Sequence, residues 1–322
     1  MNPGSSRRLL GLDLGGSSIK AVVVEESGHR DDDAPPQVIV RESYPTEAAR
    51  GPVHVRDRLA RLAVAMAGEH GPVSAVGVGI PGVLDAERGT TVLLPNLPGP
   101  WDGLPVGDPI AAAVGVPVAL LNDCRAFSLA ESVLGAGRGW ATVVCLVLGT
   151  GVGGGVVIDG RLHTGAGVAG EIGHQTVLAD GPACGCGNLG CAEALTSAAA
   201  FSARGGQPTP EAVYAAARAG DRRARDAVEQ VVGWLGIALA NAYVLLAPDV
   251  CVVGGGVAAA GADLLEPLAA EVRRRVRLVP GHQIRVVASE LGPFAGAIGA
   301  ALRARDAPDT RNTASITYRS AT

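Results

Sequence analysis

His174, Cys184, Cys186 and Cys191 fall within 18 residues of one another, separated by glycines and Pro182. Three thiolates and one imidazole form a complete tetrahedral set for zinc. Four protein ligands leave no open position, so such an ion organises a loop and does not activate water. The other reading is a set of free thiols, which at this spacing on an exposed loop oxidise readily. Glu171 and Glu193 flank the cluster. A metal there would hold both carboxylates in place, and carboxylates accept well from sugar hydroxyls. Alternatively, Glu193 opens a short helix over 192–195 and serves its dipole. Cys124, Cys145 and Cys251 lie in apolar stretches and read as small core residues.

Three glycine-rich bends each follow an apolar run: Gly15-Gly16, Gly149-Thr150-Gly151 and Gly254-Gly255. Glycine N–H groups with no side chain in the way can cradle phosphate, and the first bend has Asp13 before it and Ser17, Ser18 and Lys20 after it. A tight hairpin needs the same glycines, so one bend alone decides nothing; three point to a shared polyanionic ligand. The first bend is neither a Walker A loop nor a dinucleotide fingerprint, because a strand and not a helix follows it. Asp123 stands where a strand over 118–121 meets a helix over 124–134. There it is a base able to orient and deprotonate a hydroxyl, or a plain helix cap. Asn122 beside it offers a donor and an acceptor to a polyhydroxylated ligand, or is a turn residue.

The surrounding elements read as two similar halves. Residues 9–14 and 19–24 form a hairpin about the first bend, 142–148 and 154–158 another about the second, and the echo suggests a duplicated α/β unit around a cleft. Between them come a strand over 38–41, a helix over 54–68, a strand over 73–78 and a Gly-Ile-Pro-Gly turn at 79–82. Afterwards come a helix over 224–246 stopped by Pro248, strands over 250–253 and 284–287, and a last helix over 293–303. The expected organisation is a small α/β lobe over 1–121 completed by a helix at 293–305, a larger α/β lobe over 122–292 carrying a zinc loop at 174–191, and a flexible polar tail over 306–322.

Composition bounds the function. With 322 residues, 48% of them apolar and 18% charged, and a net charge of −4, this is an ordinary globular profile with no basic field to gather nucleic acid. Lys20 is the single lysine among 27 basic residues. No apolar run reaches the roughly 20 residues needed to cross a bilayer, since Gly233, Gly236 and Asn241 interrupt the longest. The first residues lack the apolar stretch of a signal peptide. Six cysteines are too few for a disulfide scaffold. The expectation is a cytoplasmic protein with no nucleic acid and no membrane partner.

Taken together, GLDLGGSSIK, GIPG, PNLPG at 95–99, LNDCRAFSLAE at 121–131, LGTGVGGGVVIDGRL at 148–162, GEIGH at 170–174, CGCGNLGCAE at 184–193 and PDVCVVGGGV at 248–257 resemble the ROK family of bacterial sugar kinases and sugar-responsive repressors. The likeness spans about 9–303. It implies an α/β, actin-like ATPase (ribonuclease H-like) fold with two lobes around a central cleft. It implies ATP-dependent transfer to a primary hydroxyl of a hexose, glucokinase-like, with Asp123 as catalytic base and Asp13 near Mg²⁺. Gly15, Gly16, Gly149, Thr150 and Gly151 match the phosphate loops, and Gly254 and Gly255 the adenosine side. Asn96, Asn122, Glu171, His174 and Glu193 match sugar contacts, and His174, Cys184, Cys186 and Cys191 the ligands of a structural Zn²⁺. A homodimer or higher homo-oligomer is the implied assembly. A carba-sugar cyclitol is the alternative acceptor, and a regulator the alternative class, disfavoured by the 12 residues before Asp13. The chain departs from the family pattern at Ser17, commonly Thr, at Arg125 and Phe127, commonly small, and at Pro100 before Trp101; the last two segments are expected to border the sugar pocket.

Overall fold

The computed structural model describes residues 6–27 and 34–307. The polar tail expected over 306–322 falls outside the described residues from residue 308 on. The chain forms two compact units, one of Met1–Ala126 with Gly296–Thr322, the other Phe127–Ala295.

The first unit contains strands β1 (Arg7–Leu14), β2 (Ser18–Glu26) and β3 (Gln37–Pro45), helix α1 (Pro52–Glu69), strands β4 (Ala75–Ile80), β5 (Val83–Asp85) and β6 (Thr90–Leu93), helix α2 (Gly107–Val114) and strand β7 (Val118–Asn122). Its main sheet runs β3-β2-β1-β4-β7. β1 to β3 pair antiparallel, whereas β1, β4 and β7 are parallel. The burial pattern follows from position: every residue of β4 is buried, while edge strand β3 alternates exposed and half-buried. α1 begins with Pro52 and lays Val55, Leu59, Leu62, Ala63 and Met66 on the core, one apolar face at helical spacing. Because β1, β4 and β7 are parallel, Asp13, Gly79 and Asn122 all arrive at one carboxyl edge of the sheet.

Helix α3 (Asp123–Leu134) begins at that edge, and the chain leaves the first unit inside it, after Ala126, a few residues beyond the expected 121/122 division. The cause is packing: Ala126 is fully buried with Leu121 and Ala300. The second unit continues with β8 (Thr142–Leu148), β9 (Val152–Ile158), β10 (Arg161–His163), α4 (Ala192–Thr196), α5 (Ala198–Gly205), α6 (Pro210–Arg218), α7 (Arg222–Leu246), β11 (Val250–Gly254), α8 (Ala262–Arg275) and β12 (Val286–Ala288). The sheet order β10-β9-β8-β11-β12 repeats the first unit's scheme, two antiparallel pairings followed by two parallel ones. α7 corrects the expectation about apolar runs: it is continuous over 25 residues and, by length and composition alone, long and apolar enough to cross a membrane. Gly233 and Gly236 weaken a helix without ending it. Half of the apolar window is buried inside the unit, as befits a core helix.

The last helix, α9 (Ala295–Ala304), packs on the first sheet. The contact is backbone on backbone. A Cβ at Gly77 would stand 1.7 Å from the Ala300 carbonyl oxygen, and one at Gly11 1.9 Å from that of Ala297. Gly77→Ala is therefore expected to destabilise the protein by about 1–3 kcal/mol through overpacking, read as a lower denaturant midpoint at unchanged slope. An unchanged midpoint would remove this seam from the account.

Candidate active site

In the first unit the candidate residues gather at the carboxyl edge. Asp13 is the last residue but one of β1, opposite Lys20 on β2 and Gly79 on β4. Its carboxylate is wedged between glycines: a Cβ at Gly79 would lie 3.3 Å from Oδ1 and one at Gly296 2.5 Å from Oδ2. Gly296, the first residue after Ala295 in α9, went unnoticed in the sequence, where only the Gly296/Gly299 spacing hints at a small-residue face. The bend closes as Gly15 donates its N–H to the Ser18 carbonyl at 3.0 Å. Buried Thr46, which carried no signal in the sequence, fixes it from β3's end, donating Oγ1–H to the Gly15 carbonyl at 2.6 Å and its N–H to that of Ser17 at 3.1 Å. Lys20 is turned along the hairpin, its Nζ donating to Ser18 and Ser43 at 2.9 Å each. Exposed Asn96 is presented by a turn anchored through buried Leu94 and Leu97, with its backbone carbonyl near Gly16. In the same loop Trp101 is buried in the core and donates Nε1–H to the Pro98 carbonyl, so the segment after Pro100 is a packing anchor.

Asn122, not Asp123, caps α3. Its Oδ1 accepts from the N–H groups of Cys124 and Arg125 at 2.9 and 3.1 Å, and Nδ2 donates to the Gly82 carbonyl at 3.1 Å. One Nδ2 hydrogen is what it has left for a ligand. Asp123 occupies the first turn, where its Oδ1 also accepts from Cys124 at 2.8 Å. Burial pushes its carboxyl above the ordinary value, against the hydrogen bond from Cys124. Asp13 is pushed up to about 7, chiefly by burial and further by Asp123, with Lys20 opposing. An acid whose pKa is raised by folding binds its proton more tightly in the folded chain. Its stabilising contribution is complete below the unfolded value of 3.8 and is lost as pH rises through about 7. The thermal midpoint of the ligand-free protein is expected to fall across this window, and less steeply in Asp13→Asn; equal slopes in the two would contradict the buried placement.

In the second unit the bend Gly149-Thr150-Gly151 joins β8 to β9, Gly149 donating to the Gly151 carbonyl at 2.9 Å. Glu193, in the first turn of α4, reaches out of its helix: Oε2 accepts from the Val152 N–H at 3.0 Å, and Oε1 lies 3.7 Å from Cys184 Sγ. The carboxylate thus ties the metal-ligand loop to the bend. α5 ties the other side, with Ala198 donating to the Gly149 carbonyl at 3.0 Å. Glu171 and His174 sit on a single 3₁₀ turn, Ile172–His174 with its preceding cap, seated on β9. Gly173 allows that seat, since a Cβ there would meet the Val152 carbonyl oxygen at 1.8 Å.

The ligand atoms of His174, Cys184, Cys186 and Cys191 all lie within 4.8 Å of one another. His174 Nδ1 is 3.7 Å from Cys184 Sγ, and Cys186 Sγ is 3.7 Å from Cys191 Sγ. Tetrahedral zinc with bonds of about 2.3 Å to sulfur places sulfurs about 3.8 Å apart, so the donor set fits that ion. Gly254 ends β11 beside β8, and Gly255 follows it. Gly255 has φ of 88°, and a Cβ on it would stand 2.2 Å from the Leu148 carbonyl oxygen. Phe127 packs its ring on Gly254, where a Cβ would be 2.3 Å from Cζ. This places the ring against the third glycine bend, its side chain facing β11 from α3.

Several known proteins resemble this chain over most of its length. A glucokinase of Thermotoga maritima is 36% identical over 315 residues, 91% of this chain and 96% of that protein. A ROK hexokinase of Thermus thermophilus, known as a crystal structure, matches with a TM-score of 0.81 at 36% identity, covering 92% of this chain and 98% of the other. A ROK family glucokinase of Streptomyces griseus, crystallised with glucose and AMPPNP, matches with a TM-score of 0.75 at 34% identity, covering 92% and 99%. The family pattern itself is matched over residues 9–307, and with these motifs and this α/β fold the chain belongs to the ROK family.

Proposed function

We propose that this protein is an ATP-dependent hexose kinase of the glucokinase type, which transfers the γ-phosphate of ATP to the primary hydroxyl of glucose. The observation that carries the reading is the likeness, over 92% of this chain, to a glucokinase crystallised with glucose and AMPPNP. In this reading each unit supplies part of the chemistry. Asp123 takes the proton of the acceptor hydroxyl as its oxygen bonds to the γ-phosphorus, and the bond from phosphorus to the bridging oxygen breaks to release ADP. Burial raises the Asp123 carboxyl pKa, which makes it a stronger base than an exposed carboxylate. The N–H groups of Gly15 and Gly149 close the two bends, and those of Gly16, Thr150 and Gly151 would meet the phosphates, with Ser17 and Lys20 beside the first. Both bends are held rigid beforehand, by Thr46 and by Glu193 with Ala198, so little reorganisation accompanies transfer. Gly254 and Gly255, packed on Phe127 and Leu148, would flank the adenosine.

Asp13 would hold Mg²⁺, which supplies neutralising charge at the phosphates. His174, Cys184, Cys186 and Cys191 would hold structural Zn²⁺, leaving His174 Nε2–H to donate to a sugar hydroxyl. Asn96, Asn122, Glu171 and Glu193 complete the acceptor contacts. ATP as donor places the enzyme in the cytoplasm, and the dimer that the resemblance implies belongs to the same reading. The test is ADP release over a panel of hexoses, N-acetylhexosamines and cyclitols. Glucose is expected to give the highest kcat/KM. A cyclitol outrunning glucose would overturn the acceptor, and silence across the panel would overturn the kinase.

A further inference from the structure

Outside the residues assigned to phosphoryl transfer, the second unit has a surface cavity of about 420 Å³ lined by Arg204, Arg222, Arg223, Asp226, Ala227 and Gln230. We infer that this cavity binds the dianion of a small phosphate monoester, at a site distinct from the three glycine bends. The first ground is preorganisation. Arg223 donates from Nε to the Arg204 carbonyl at 2.8 Å and from Nη2 to the Ala203 carbonyl at 2.7 Å, closing the end of α5 and leaving Nη1 unused by these bonds. Arg204 is held from two sides, its guanidinium 4.5 Å above the Trp234 ring and its Nη1 donating to Gln230 Oε1 at 3.0 Å. Two guanidiniums are thus fixed before any ligand arrives, which lowers the entropy lost on binding.

The second ground is charge and size. Three guanidiniums and one carboxylate, Asp226, line the cavity. The net charge of about +2 matches a phosphate monoester, and guanidiniums favour phosphate through paired N–H donors. The volume lies within the range of small-molecule sites, roughly 300–1,000 Å³, and suits a monoester as large as a hexose phosphate.

The experiment titrates the full-length protein by calorimetry at constant ionic strength, first with inorganic phosphate and then with glucose 6-phosphate. AMPPNP, Mg²⁺ and glucose are present to occupy any kinase site. Their own binding is measured beforehand, so failure of the kinase reading is scored separately. Saturable binding is expected, tighter for glucose 6-phosphate than for inorganic phosphate, and weakened at least tenfold in Arg204→Gln and in Arg222→Gln. Arg222 is exposed, so its variant keeps the test valid if Arg204→Gln unfolds. Equal affinity for the two anions would overturn the monoester assignment. Absence of saturable binding, or wild-type affinity in Arg222→Gln and in any folded Arg204→Gln, would overturn the site.

Discussion

Asp123→Asn is expected to lower kcat by roughly 10²–10⁴-fold while glucose affinity stays within a few-fold of wild type. The substitution preserves shape and keeps an oxygen for the Cys124 N–H that Asp123 now accepts. It removes only the ability to receive a proton. Folding is not the confound it would be elsewhere, because Asn122 caps α3 and Asp123 does not. Turnover is read from ADP release, and acceptor affinity from calorimetry with glucose alone. A variant with kcat near wild type would strip Asp123 of the base role, whereas equal losses in binding and turnover would make it a structural residue.

Loss of the metal loop ranks second. Cys191→Ser, or prolonged treatment with a strong chelator, is expected to raise the KM for glucose by about 10–100-fold and to lower the thermal midpoint. The reason lies in the chain of contacts. The same loop carries His174 and, one residue past Cys191, leads into α4 with Glu193, whose carboxylate reaches the Val152 N–H. Loosening the four ligands therefore loosens the acceptor side and the bend at Gly149 together. Metal analysis of the untreated protein should find about one zinc per chain, as a single four-ligand site requires. Zinc-free protein with full activity would contradict the assignment.

Clusters that depend on local sequence were legible. His174 and the three cysteines stand close in the chain, and their donor atoms come within 4.8 Å of one another in the fold. The glycine-bend hairpins were legible because a tight turn between apolar strands requires glycine within a few residues, and the repeated sheet order bears out the duplicated unit they suggested. What escaped were contacts between distant segments. Nothing near Gly11 or Gly77 announces that α9 will press its backbone against them. Thr46 looks like any loop threonine until the fold brings it to Gly15. Asn122 invited a ligand role, yet its carbonyl is consumed by the helix it starts. The helices α2, α5, α6 and α8 were not read as elements: alanine fills both faces of the first three and blurs the apolar period, and Pro267 interrupts the pattern of the fourth.

The central claim is that a primary hydroxyl receives the γ-phosphate, and product identification by phosphorus NMR tests it most directly. Incubation with glucose, ATP and Mg²⁺ is predicted to yield glucose 6-phosphate and ADP in equal amounts, and 6-deoxyglucose to yield no sugar phosphate. Phosphate on any other hydroxyl, or ADP formed with inorganic phosphate in place of a sugar phosphate, would contradict it.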